Sequence, residues 1–244
     1  MPKNKIAKFE EIDRYSHVVQ PSFREVFNKK HSLYGKWHSD FFGNKNPLVL
    51  ELGCGKGEYT VGLAERYPGN NYLGVDIKGA RIWKGARQVY QQSLKNVGFL
   101  RTRIELLNAF FSHEEVSAIW LPFPDPQSKK PKKRLTSPRF LNMYKEFLKK
   151  GGLLHLKTDS SELYYFTLNV IKFNNLELII SSADLYNSDI EESSPYIKTF
   201  YEEQFLSGGK KIHYLKFKIP EDITVEWPPE DLINNRSCID SGNC

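Results

Sequence analysis

The sequence predicts an α/β fold: a mostly parallel central sheet with helices on both faces and an antiparallel strand at one edge. Three observations carry the prediction. Short apolar runs alternate with longer amphipathic stretches, the rhythm of strand–helix–strand units. A glycine-rich turn follows the first of those runs. Two late runs, ELII and HYLKFKIP, come after the last parallel unit and read as an antiparallel pair closing the sheet.

The elements follow in order. Residues 47–52 (PLVLEL), 71–76 (NYLGVD), 97–103 (VGFLRTR), 118–123 (AIWLPF) and 153–159 (LLHLKTD) are short apolar runs of strand length. Residues 57–67 place Val61, Ala64 and Tyr67 at helical spacing and stop before Pro68. Residues 140–149 put Phe140, Leu141, Tyr144 and Leu148 on one helical face and end at Gly151-Gly152. A further helix is expected over 162–173. Trp83, Tyr90 and Phe147 read as aromatics packed into the core.

The chain divides into an irregular, charged, basic N-terminal arm (1–46), a main domain (47–220) and a C-terminal tail (221–244) with Trp227-Pro228-Pro229, read as a surface tail or loose cover. Its 244 residues are 40% hydrophobic and 14% aromatic, ample for a packed core. No apolar run approaches the roughly 20 residues of a membrane span, and the first residues lack the apolar stretch of a signal peptide. A cytoplasmic protein without membrane attachment is expected. Cys54 lies in the glycine turn, and Cys238 and Cys244 lie near the end, so neither a disulfide framework nor a cysteine metal site is spelled out.

The turn Glu51-Leu52-Gly53-Cys54-Gly55-Lys56-Gly57 ends the first strand and opens the first helix, where glycine lets backbone pass close to a ligand. Its glycines fall at i, i+2 and i+4, not in the G-x-G-x-x-G spacing that cradles a dinucleotide pyrophosphate. An acid two places before the first glycine suits a ligand carrying a sulfonium and an ammonium, as S-adenosylmethionine does. Asp76, at the end of the second strand, is placed to accept ribose hydroxyls, against the plainer role of a turn cap. At the end of the third strand both Arg103 and Glu105 are candidates for an adenine contact.

Phe123-Pro124-Asp125-Pro126 brings a carboxylate between two prolines to the carboxyl edge of the sheet, the ligand-binding edge of open α/β folds. A fixed carboxylate there can accept from the N–H groups of guanine's Watson–Crick edge; the alternative is a turn whose Asp caps the next segment. Residues 127–140 then carry Lys129, Lys130, Lys132, Lys133, Arg134 and Arg139 and no acid, equal to the chain's whole net charge of +6. A charge run is often only a solvated face, but this one sits beside Asp125, where it can hold nucleic-acid phosphates.

ELGCGKG, FPDP with Lys129 four places after its Asp, LKTD and IKTFYEEQF, in that order over residues 48–214, resemble the bacterial tRNA (guanine-N7-)-methyltransferases. The resemblance implies a Rossmann-like class I methyltransferase fold and transfer of a methyl from S-adenosylmethionine to N7 of guanine 46 in the tRNA variable loop. Carried over by motif, Glu51, Gly53, Gly55, Asp76 and Asp125 would contact the cofactor, with Asp125 also catalytic. Lys129, Asp159, Thr199, Phe200, Tyr201 and Glu202 would contact tRNA. The chain departs from the pattern at Arg103, where many members carry Asp, and at Gln127, where they carry Trp. Glu105 lies two residues beyond Arg103, on the same face if the strand continues.

Guanine N7 has a free lone pair, so transfer needs positioning, at about 3 to 3.5 Å and nearly in line, with no base and no metal. Asp159 reads equally as a cap for the following helix, and most of the seven acids in 177–203 read as solvated. A dehydrogenase is opposed by the glycine spacing. A non-enzymatic RNA-binding protein leaves Glu51 and Asp125 without purpose, and a methyltransferase for small molecules or proteins leaves the basic run unused. The sequence is compatible with a monomer or a homodimer.

Overall fold

The computed structural model describes residues 3–190 and 196–233. Eight strands form one sheet: β1 (Val18–Val19), β2 (Leu48–Leu52), β3 (Asn71–Asp76), β4 (Val97–Arg101), β5 (Val116–Pro122), β6 (Leu148–Thr158), β7 (Glu177–Ser182) and β8 (His213–Lys218). Their order is β1-β4-β3-β2-β5-β6-β8-β7. The first six run parallel, while β8 pairs antiparallel with both β6 and β7. Every residue of β2 and β3 is buried, as expected of parallel strands covered on both faces.

Alternation along each strand divides the core in two. Leu48, Leu50 and Leu52 of β2 face one apolar cluster with Phe140, Tyr144 and Phe166; Val49 faces another with Tyr59, Ile82 and Trp120. On the first face lie α5 (Pro138–Lys145) and α6 (Ser161–Phe173), and on the second α1 (Lys3–Ile12), α3 (Glu58–Arg66) and α4 (Gly79–Gln92). Chain order reverses between β2 and β5, so the cleft at their carboxyl ends is the switch point where such sheets bind ligands.

The structure corrects several expectations. The N-terminal 46 residues are not irregular: they hold α1, β1, α2 (Phe23–Val26) and a π-helical turn over Trp37–Phe41. Val18 and Val19 lie in register with Phe99 and Leu100, and the fully buried Trp37 donates its indole N–H to Phe110 O at 2.9 Å. This segment therefore completes the sheet edge and the core.

The helix expected to reach residue 149 begins at Pro138, in the first turn where proline is tolerated, and ends at Lys145. Leu148 already pairs with Val116, and the bulge that follows accommodates Gly151 at φ +70°. Ser160, not Asp159, caps α6, its hydroxyl accepting the Leu163 N–H at 3.2 Å. Phe147 is core, but Tyr90 is 66% exposed and rests on Tyr15 from outside.

Part of the expected tail is fastened. Val225 is buried and exchanges two backbone hydrogen bonds with the Asn142 side chain, Trp227 packs near Phe166, and α8 (Glu230–Ile233) follows. Cys238 and Cys244 lie outside the described residues. Among the described residues, no helix is long and apolar enough to cross a membrane.

Candidate functional site

Two cavities meet at Gly53, over the switch point. One, of about 120 Å³, is lined by Glu51, Gly55, Tyr59, Phe123, Thr199 and Tyr201 among others. The second, of about 440 Å³, is lined by Asp76, Thr102, Arg103, Glu105, Gln127 and Lys133 among others. Together they run from the end of β5, past the glycine turn, to the loop after β4.

The glycine turn is shaped to leave room. Gly53 and Gly55 have φ of +80° and +55°, the left-handed region that disfavours side chains. A Cβ on Gly53 would meet nothing within 4 Å, so the space beside it is open rather than filled by protein. The turn is held by Asp76, whose Oδ2 accepts the Gly55 N–H at 2.9 Å while Oδ1 accepts the Lys78 N–H at 2.7 Å. Asp76 thus fulfils the turn-cap role as well as lining the larger cavity.

Glu51 is 5% exposed and accepts a hydrogen bond from the Thr60 hydroxyl. Burial pushes its carboxyl up to about 8; the Thr60 hydrogen bonds oppose the shift, and Asp76 and Glu58 add to it. Among the described residues no lysine or arginine pairs with it. A buried carboxyl next to an open cavity, lacking a cation, fits a ligand that brings its own positive charge. The sulfonium and ammonium of S-adenosylmethionine meet that requirement.

Asp125 is exposed and lines neither cavity, although Phe123 of its loop lines the smaller and Gln127 the larger. Its Oδ1 accepts the Gln127 N–H at 2.9 Å, leaving the second oxygen for a ligand. The residues on either side of it are constrained: Phe123 and Gln127 both have positive φ, +51° and +48°, uncommon for non-glycine residues. Arg134 clamps this loop from beneath, donating to Pro126 O at 2.9 Å and to Glu162. Arg134 is therefore a buried structural cation, so Lys129, Lys130, Lys132, Lys133 and Arg139 are the exposed part of the basic run.

Arg103 and Glu105 both line the larger cavity, but β4 ends at Arg101 and Glu105 sits on a 3-10 turn over Ile104–Ala109. The strand-alternation argument linking the two does not hold, and the turn brings them to one wall. Asp159 pairs with Lys210 at 2.6 Å. Helix α7 (Phe200–Ser207) roofs the smaller cavity: the Phe200 N–H donates to Glu58 at 3.0 Å, and the Lys56 ammonium lies 4.7 Å from the Phe200 ring centroid. Phe200 and Tyr201 are about half exposed. Glu202, expected to touch substrate and grouped with solvated acids, has no exposed surface.

The sequence reading did not single out Tyr59, Thr60, Arg81, Thr102 or Leu135, all of which line the cleft or bond to its walls. The position of Thr60 one helical turn past the glycines was the available signal.

Comparisons with known proteins agree with this architecture. A family model described as "Putative methyltransferase" matches residues 45–215. A tRNA (guanine-N(7)-)-methyltransferase of Bacteroides thetaiotaomicron is 47% identical over 95% of this chain and 92% of its own length. The protein of the same name from Bacteroides fragilis is 49% identical over 95% of this chain and 92% of its own length. Among solved structures, a 16S rRNA methyltransferase superposes with a TM-score of 0.59 at 14% identity, covering 77% of this chain and 98% of its own, a likeness of fold.

Proposed function

The chain belongs to the tRNA (guanine-N(7)-)-methyltransferase family, and from that premise we propose how its site carries a methyl group from S-adenosylmethionine to N7 of guanine 46 in the tRNA variable loop. The observation that carries the reading is a buried, cation-free Glu51 lining the smaller cavity, with the clamped Asp125 loop contributing Phe123 to that cavity and Gln127 to the larger one.

When bound, the cofactor supplies an electrophilic methyl on a sulfonium. Glu51 sets a negative field at the Gly53 junction, Asp76 holds the glycine turn and meets the ribose, and Arg103 and Glu105 wall the adenine end. Asp125 orients guanine through its free oxygen and offsets the positive charge that grows on the purine. No residue has to remove a proton, because N7 carries none. Lys129 and its exposed neighbours hold phosphates, while Asp159, Thr199, Phe200 and Tyr201 border the RNA side of the cleft. In this reading residues 47–220 are the transferase unit, 1–46 close its β4 edge, and the enzyme works in the cytoplasm where tRNA is modified.

The test is transfer of labelled methyl to unmodified tRNA by the wild type and by Asp125→Ala, followed by nucleoside analysis. Label in 7-methylguanosine from wild type, lost in the variant, is the expected result. Label in another nucleoside, or full activity of the variant, overturns the reading.

A further inference from the structure

We propose that Lys157 and Glu202 are positioning residues for methyl transfer: their buried ion pair fixes Thr199 and Tyr201 over the Glu51 cavity. The inference rests on the function proposed above and concerns the RNA side of the same site.

Both side chains have no exposed surface, and Lys157 Nζ lies 2.7 Å from Glu202 Oε1. Such a pair contributes little stability over an apolar pair of equal volume, so its presence beside a reaction site calls for a geometric role. The same Oε1 accepts the Tyr186 hydroxyl at 2.7 Å, and Nζ donates to Ile197 O at 3.1 Å. Glu202 closes a capping box with Thr199 at the start of α7. One pair therefore pins three points of the segment leading into α7.

Two residues on from Lys157, just past the end of β6, Asp159 pairs with Lys210 beyond the far end of α7 at 2.6 Å. The strand end offers a cation and then an anion, and the segment around α7 offers an anion and then a cation. The two pairs thus meet the α7 segment near its start and just past its end, the first buried and the second exposed. Neither Lys157 nor Glu202 lines the cavity, whereas Thr199 and Tyr201 do. The pair acts on substrate only through them.

The experiment measures tRNA KM, kcat, cofactor Kd and Tm for Lys157→Met, Glu202→Gln and the double variant. Each single change strands one buried charge. The double removes both, and glutamine still closes the capping box. The expected result is a rise of about tenfold or more in tRNA KM for each single variant and for the double, with cofactor Kd within about threefold and the Tm of the double nearer wild type than that of either single variant.

A double variant with wild-type-like tRNA KM would show that only the stranded charge of the single variants matters, not the pair, and would overturn the proposal. So would unchanged tRNA KM in the single variants, or losses in KM and Kd that merely track Tm. Should a single variant fail to fold, the double decides: a raised tRNA KM at near-wild-type Tm supports the pair, and a wild-type-like KM rejects it. A wild type that forms no 7-methylguanosine would instead sink the function on which this rests, a failure visible before any variant is made.

Discussion

Asp76 accepts the Gly55 N–H at 2.9 Å, so the acid ending β3 sets the shape of the turn that follows β2. Its other oxygen accepts the Lys78 N–H, which leaves the carboxylate acting as a two-sided brace. Asp76→Asn keeps one acceptor and replaces the other with a donor. We expect cofactor affinity to fall at least tenfold and stability by about 1–3 kcal/mol, read by titration calorimetry and chemical denaturation.

Cofactor affinity should depend on pH through Glu51. With its carboxyl pushed from 4.5 to about 8, the free site is protonated at neutral pH, while a sulfonium favours the carboxylate. Binding should release a proton, detectable as a buffer-dependent heat, and strengthen up to tenfold per unit as pH rises toward about 8. Glu51→Gln should abolish this dependence.

The same group acts on stability with the opposite sense. Between 4.5 and about 8 the folded protein holds a proton that the unfolded chain has lost, so stability falls as pH rises through that window. Glu51→Gln removes the penalty and keeps a partner for Thr60. Its Tm relative to wild type should be higher at pH 8 than at pH 5.

The basic run should separate into two classes. Arg134→Met loses the clamp on Pro126 and Glu162 and is expected to cost about 1–3 kcal/mol. Replacing Lys129, Lys130, Lys132 and Lys133 with alanine should leave Tm nearly unchanged. That variant should flatten the salt dependence of tRNA binding by about 0.7 in log–log slope for each phosphate it no longer neutralises. An unchanged slope would remove the run from the RNA interface.

Gln127→Gly tests whether the constrained loop matters. Gln127 sits at φ +48°, so glycine relieves strain while loosening the unfolded chain, and stability should shift by less than about 1 kcal/mol. If rigidity aims Asp125, kcat falls severalfold at unchanged Tm; unaltered kcat would mean the loop tolerates slack.

The sheet was legible because β2 and β3 are uninterrupted apolar runs, buried on both faces, bounded by turn residues. The early segment was not: β1 is two residues long, too short for any period, and Trp37 gives no hint of its depth in the core. Glu51, the glycines and Asp125 stood out by spacing. Arg134 and Glu202 did not, because burial of one charge in a polar run depends on a distant partner, Glu162 or Lys157, that spacing cannot reveal. The positive φ of Phe123 and Gln127 left no mark in composition either.

The sheet order places β8 between β6 and β7, so residues 183–212 are an excursion between two strands that remain hydrogen-bonded to each other. That excursion carries α7 and the roof of the smaller cavity, whereas the cofactor-facing turns belong to the parallel half. The smaller cavity therefore has a floor set by the parallel strands and a roof set by the β7–β8 connection, so a change in that connection would reshape the cavity from above.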